Sequence, residues 1–476
     1  MKMKFTLVCF LITAVTTAVH AITYQVGPTR TYKVPSAVAG LVADGDIVEI
    51  DAGTYSDCAT WNKNNLILRG VGGRAHIKDV VCSGKGIWNF NGNNITVEYI
   101  EFSGATNPDQ NGAGIRGQGG AFTVRHSYFH NNDNGILCND PVAGTSDVLV
   151  EYCEFGNNGF GDGYSHNMYI GNMNSFTLRY SYTHHAKIGH EIKSRANKNY
   201  ILYNRISDET SGTASRNIDL PNGGLAIIIG NLIEQGPNSG NSNLVAYGLE
   251  GFVNPAPQNI YVVNNTFVNN RSAGSSFVNV ASGTGILKVV NNIFAGNGTV
   301  ILGTATTLDS TTNFISTNIS AMGFVNASNY DYQLVSSAKV IGKGSNPGSA
   351  GTYALTPVSE YVHNSNKRSR PTNGTIDIGA YEFQLSTGVK NAATNDQLKV
   401  WISQNQSEAT VSIRNSLSEK ITATIYNIIG QPLTSFVLEG YSNEQKFDTS
   451  DMPTGIYILK TDSESGSCTI KFLINK

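Results

Sequence analysis

Between Asn94 and Asn297 one strand-and-turn unit recurs eight times: NITVEYIEFSG, FTVRHSYFHNN, VLVEYCEFGNN, FTLRYSYTHHA, YILYNRISDE, AIIIGNLIEQG, IYVVNNTFVNN and LKVVNNIFAGN. Aligned on Phe102, Phe129, Phe155, Thr183, Ile206, Ile233, Phe267 and Phe294, the units step by 27, 26, 28, 23, 27, 34 and 27 residues. Apolar and polar residues alternate within each unit, and Asn or Gly marks the corners. Such a degenerate period describes a β-solenoid, whereas helical repeats of similar length would carry a 3.6-residue pattern. The composition agrees, with 50 glycines and only 14% charged residues, which disfavours helices and suits short strands joined by turns. The fold class expected is all-β.

A second short strand follows each unit, in AGIRGQ, GILCN, HNMYIG, HEIKSR, RNIDLP and NLVAYG. Side chains alternate faces along a strand, and neighbouring strands lie about 4.8 Å apart. If Ile115, Ile136, Met168, Ile192 and Ile218 form one inward row, the flanking residues point outward. Asn167, Glu191 and Asn217 are then expected as one exposed column and Tyr169, Lys193 and Asp219 as the next, with His166, His190 and Arg216 one step before them and Arg195 just beyond Lys193. Residues about one turn apart in sequence become surface neighbours. An open groove along one face of a solenoid suits a linear polymer.

The two ends differ from this scaffold. Residues 1–21 carry Lys2 and Lys4, an apolar stretch and a small-residue end at Ala21, which is the pattern of a secretory signal. No later apolar run approaches the ~18 residues of a membrane span. A short capping helix is expected near Val34–Val42, covering the open end of the stack. Five cysteines remain after the signal, an odd and sparse set that reads as buried thiols rather than a disulfide framework. Residues 353–383 look like the last coil and its closure. The expected division is a solenoid over 22–384, a polar linker at 385–396, and a small strand-rich module at 397–476 with the pattern of a β-sandwich. With 33 Lys and Arg against 35 Asp and Glu, nothing steers the chain toward nucleic acid or a membrane surface.

The stretch from Gly163 to Gly224 gathers cations (Lys193, Arg195, Arg216), a phenol (Tyr169) and imidazoles (His166, His190). Cutting a uronic-acid polymer by β-elimination requires neutralisation of the C6 carboxylate, removal of the C5 proton and protonation of the leaving oxygen. Cations beside the carboxylate stabilise the enolate-like charge that develops, and a Lys or Tyr among positive charges can serve as base. Hydrolysis would instead use a carboxylate pair, for which Glu191 and Asp219 are the candidates. Polar residues on a solenoid surface are commonly only solvated, which is the plain reading of His184, His185 and Lys187 taken singly. Tyr152, Tyr180 and Tyr182 read as packing, and the paired asparagines at 264–265 and 291–292 as structural corners.

Two resemblances follow. Through IYNIIGQPL (425–433), DMPTGIYILK (451–460) and the terminal KFLI, the C-terminal module resembles the type A sorting domain of type IX secretion in Bacteroidetes, which implies the type IX machinery as a partner and a secreted or cell-surface protein. Through EIDAGTY, LRGVGG, NGAGIR, GDGYSHNMYIG, GHEIKSRA, LPNGG, YGLEG and DIGAYEF, the rest resembles secreted bacterial right-handed parallel β-helix proteins, a fold shared with alginate, chondroitin B-type and pectate lyases. Lys193-Ser194, Gly212-Thr213 and Arg216 are locally similar to the alginate and chondroitin B-type enzymes. That similarity implies Lys193 as base and Arg216 as a group polarising the uronate. Where those enzymes place two calcium-binding Glu this chain has Ala186 and Ile188, with only Glu191 close, so calcium stays open and no other cofactor is called for. The expectation is a secreted polysaccharide lyase acting on an acidic, uronate-containing polysaccharide, alginate-like or glycosaminoglycan-like. Lys193, Tyr169, His166, His190 and Arg216 are its candidate catalytic groups; Arg195, Asn167, Glu191, Asp219 and Asn217 are its candidate substrate contacts. The alternatives are an inverting glycoside hydrolase and a non-catalytic glycan-binding or adhesive β-helix.

Overall fold

Three inward rows of apolar side chains, one from each strand of a coil, stack along the long axis. The computed structural model describes residues 21–141, 146–372, 374–384, 398–405, 408–415, 420–439, 442–463 and 466–474; the signal up to residue 20 and the linker at 385–396 lie outside them. Each coil runs through three parallel sheets in turn. Sheet 1 stacks Leu68, Val97, Val124, Val150, Leu178, Ile201, Ile228, Val262 and Val289 in register. Sheet 2 stacks Phe102, Phe129, Phe155, Thr183, Ile206, Ile233, Phe267 and Phe294, so all eight repeat anchors pair directly. Sheet 3 continues from Trp88 through Ile115, Ile136, Met168, Ile192, Ile218 and Val245. The chain is a parallel β-helix.

The corner between sheets 1 and 2 repeats one backbone device. Tyr99, His126, Tyr152, Tyr180, Tyr203, Gly230, Asn264 and Asn291 all adopt positive φ, from 50° to 68°. The chain turns sharply there, and the next side chain is thrown inward. In the later coils that residue is Asn204, Asn231, Asn265, Asn292 or Asn313; Asn204 Oδ1 accepts the Ser181 backbone N–H at 3.0 Å, and each later Oδ1 accepts from both the backbone N–H and the side-chain amide of its predecessor at 2.9–3.1 Å. Buried amides are tolerated because the ladder satisfies them. In the earlier coils the outward corner rings line up, Tyr99, His126 and Tyr152 stacked at 4.8 and 4.9 Å and Tyr180 tilted against Tyr152 at 5.1 Å. Of the paired asparagines, therefore, the first takes the strained turn and the second joins the ladder.

The ends depart from expectation in detail. The capping helix is a single turn, Ser36–Ala39, although both Val38 and Val42 are buried. Cys58 and Cys82 form a disulfide while Cys138 and Cys153 are buried free thiols, and the Cys468 side chain lies outside those described, so the all-thiol reading holds for only part of the set. Closing that loop restricts the unfolded chain and contributes about 3 kcal/mol. Residues 353–383 do not wind a last coil. The hairpin Ser359–Val362 and Asn366–Ser369 is antiparallel, and the segment runs back along the outside of sheet 2, where Tyr361, Ile378, Ala380 and Tyr381 pack on Leu232, Val268 and Ile293. Ser365 reaches Cys153 O at 2.9 Å. The reason is the outer face of sheet 2, apolar in its later coils and in need of cover. The C-terminal module has one three-stranded and one four-stranded antiparallel sheet packed about Val411, Ile421, Ile425, Leu459 and Phe472.

Candidate functional site

On sheet 3 the strands Met168–Ile170, Ile192–Ser194 and Ile218–Leu220 pair so that Tyr169, Lys193 and Asp219 form one outward column. Lys193 Nζ lies 3.6 Å from Asp219 Oδ2, and Asp219 Oδ1 accepts from Arg216 at 2.9 Å. Arg195, two residues along the same face, donates through Nε to the Tyr169 hydroxyl at 2.9 Å and through a terminal nitrogen to Asn222 Oδ1 at 2.6 Å. On the near side the imidazoles of His166 and His190 stack at 4.8 Å, and His190 Nε2 lies 3.5 Å from Asp219 Oδ2. Lys193, Arg195, Tyr169, His190, Arg216 and Asp219 therefore meet at one place.

A residue beyond the stretch from Gly163 to Gly224 completes the cluster. Glu250 sits in a loop after the strand Asn243–Tyr247, its carboxylate receiving Lys193 Nζ at 3.0 Å and an Arg195 terminal nitrogen at 2.6 Å. The loop is held down by Gly248 N–H to Leu220 O at 2.9 Å and Glu250 N–H to Pro221 O at 3.2 Å. Gly248 has φ +72°, and a Cβ there would meet the Phe252 ring at 2.4 Å, so the loop packs as closely as it does only with glycine at that position. The Glu250 side chain is 44% exposed. It covers the two cations from the solvent side. Beside the histidines, Tyr164 is 88% exposed and Phe160 is 52% exposed. Such faces can stack on a sugar ring.

Four of the expected surface contacts are buried. Asn167, Glu191 and Asn217 belong to the interior at 0%, 0% and 2% exposed, and Asp219, though in the outward column, is 0% exposed beneath Lys193, Arg216 and His190. Glu191 accepts from Thr183 Oγ1 at 2.6 Å, from Asn167 Nδ2 at 2.6 Å and from Ala186 N–H at 2.9 Å, and Asn217 donates to Glu234 O at 2.8 Å. The alternation rule applies along a strand, and these residues precede theirs, at the bend from sheet 2 where the backbone rotates the side chain inward. The carboxylate pair of Glu191 with Asp219 is consequently absent from the surface. His166 is also buried, and its Nδ1 accepts the His190 backbone N–H at 3.0 Å. That bond places the His166 proton on Nε2 and makes the ring a support for His190.

Burial dominates the electrostatics. Desolvation, with the Lys193 charge adding to it, pushes the His166 imidazole down to about 3. Desolvation and then the neighbouring His166, Lys193 and Arg216 hold His190 well below its ordinary range, so it is a neutral base. Burial raises the Asp219 carboxyl against the pull of Arg216 and Lys193. For Glu250 burial acts upward, but hydrogen bonds from Arg195 and Lys193 outweigh it and keep the carboxylate ionised. A concavity of about 550 Å³ lies elsewhere, on sheet 1 along Thr96, Thr123, Leu149, Thr177 and Arg179. It lacks a comparable cluster of acid–base groups, so chemistry rather than concavity marks the candidate site.

Residues 405–475 match the family described as secretion system C-terminal sorting domain. The protein is secreted or displayed at the cell surface. Among the described residues no helix is long and apolar enough to cross a membrane. No curated protein matches the chain. Among solved structures the chain is similar to the crystal structure of pectate lyase Pel9A, at 13% identity and a TM-score of 0.43, over 76% of this chain and 98% of that one. The β-helix is read from its own strand ladders, and so distant a likeness adds nothing about chemistry.

Proposed function

We propose that the protein is a polysaccharide lyase that cleaves a uronic-acid-containing polymer, alginate-like or glycosaminoglycan-like, by β-elimination at the Tyr169–Lys193–Asp219 column. The observation that carries this reading is the Glu250 carboxylate held jointly by Lys193 and Arg195. Two cations that cradle one carboxylate would receive the C6 carboxylate of a uronate in its place. Once there they stabilise the enolate-like charge that develops as the C5 proton leaves. Tyr169, oriented by Arg195, and His190, neutral and beside Asp219, are the proton carriers. Tyr164 and Phe160 would bear the adjoining sugars.

A second reading rests on Asp219 and Glu250, which flank Lys193 at 3.6 and 3.0 Å. One carboxyl is raised by burial and the other is kept ionised, which is the division of labour of a glycoside hydrolase. The product separates the two readings. Incubation of the mature protein with alginate, glucuronan, pectate and glycosaminoglycans, followed by NMR of the fragments, is expected to yield a C4–C5 double bond at the new non-reducing end. Saturated ends would move the assignment to hydrolysis, and uncut polymer across the panel would contradict both.

A further inference from the structure

Sheet 2 carries a second cluster on its outer face, in earlier coils than the column. His76, from the strand Ile67–Lys78, pairs with Glu101 on the next coil, and His130 follows on the third. Glu101 Oε1 lies 3.5 Å from His76 Nδ1 and 3.0 Å from His130 Nε2. One ligand atom from each of the three falls within 4.8 Å of the others. An ion about 2.0–2.2 Å from nitrogen and carboxylate ligands in a tetrahedral arrangement separates those ligands by roughly 3.3 Å, so the side chains stand close to a coordinating spacing. Their exposures of 23%, 26% and 18% leave the cluster sheltered and still reachable.

We propose that His76, Glu101 and His130 bind one divalent transition-metal ion, zinc by ligand type, which bridges three successive coils. Two imidazoles and one carboxylate suit zinc, whereas calcium takes six to eight oxygens. The surrounding groups fit that role. Ser103 Oγ is 2.7 Å from His76 Nε2; by accepting that N–H it leaves the Nδ1 lone pair facing the Glu101 oxygen, an arrangement a cation between them makes favourable. Asn131 Nδ2 lies 2.9 Å from His130 Nδ1, and turning that amide over presents Oδ1 to an Nδ1–H, freeing Nε2 for the metal. Two cations act on the cluster. Arg74 is turned over the Tyr128 ring at 5.9 Å and Lys78 is paired with Asp79 at 3.0 Å. Three protein ligands leave a position open for water or a glycan oxygen.

The site is independent of the proposed elimination and is tested by metal binding. Mature full-length protein, stripped with EDTA, is titrated calorimetrically with zinc chloride and melted with and without it. One equivalent of zinc is expected to bind and to raise the melting temperature, calcium is expected to leave it unmoved, and His76→Ala and Glu101→Gln are each expected to weaken zinc binding by at least about 10-fold. Wild-type zinc affinity in both variants, or no stoichiometric binding to the wild type, would overturn the site. Should either variant melt abnormally without metal, cobalt replaces zinc in the wild type. The visible bands of a nitrogen–oxygen tetrahedral site are then expected, and a spectrum identical to that of aqueous cobalt would overturn it.

Discussion

His166 lies beneath His190, and its place in the interior controls its protonation. Its imidazole falls from 6.5 to about 3 on folding, so between those values the unfolded chain binds more protons and acidification through that window costs stability. Asp208 behaves oppositely. Burial first, and then the neighbouring Glu191, raise its carboxyl from 3.8 to about 9. Its contribution is full below 3.8 and is lost as pH rises through about 9. Replacing Asp208 with Asn is therefore expected to flatten the fall in melting temperature between neutral pH and pH 9; an unchanged slope would contradict this account of its burial. At this scale the sequence revealed the register of Tyr169, Lys193 and Asp219, because strict alternation holds within a strand, but not that Asp219 lies buried under the cations around it. It misplaced Asn167, Glu191 and Asn217, because a bend obeys no such rule. Glu250 escaped notice because its loop reaches back over an earlier coil, a contact no local pattern records.

The coil corner is the element on which the stack depends. Asn231 both receives Asn204 and donates to Ile201 O at 2.8 Å and Asn265 Oδ1 at 2.9 Å. Truncating it to Ala strands several buried groups, each at about 1–3 kcal/mol. Urea denaturation of Asn231→Ala is expected to show a loss of at least that size with an unchanged m-value, and a loss under about 0.5 kcal/mol, as at ordinary surface sites, would contradict the ladder's role. Coil register was legible because each anchor must face the core, so even the 34-residue step keeps Ile233 opposite Phe267 and places its extra residues in loops. The returning segment at 353–383 was not legible, since its apolar residues serve a face made by distant strands. The Cys58–Cys82 bridge was equally hidden, because two cysteines 24 residues apart become neighbours only once the first coils stack.

At the scale of the molecule, an apolar three-sided column presents short outward strips of polar residues, and a sorting domain at residues 405–475 delivers that column outside the cell. The solenoid is a good frame for chemistry on a polymer because its strand ladders hold groups from separate coils at fixed spacing, so Lys193, Tyr169 and Asp219 need no moving part to meet. Under the proposed function only the Glu250 side chain has to yield, since its loop is held by the Gly248 and Glu250 backbone N–H groups on Leu220 and Pro221. The most direct test of this account is the rate of ultraviolet-absorbing unsaturated uronate formation by wild type and by a folded Lys193→Ala protein on the polymer the wild type cuts. The wild type is expected to generate the chromophore and the variant to lose about 10²-fold or more in kcat, as removal of one charge-stabilising group does elsewhere. Full activity in Lys193→Ala with an unaltered melting temperature would contradict the proposal that this column carries the reaction.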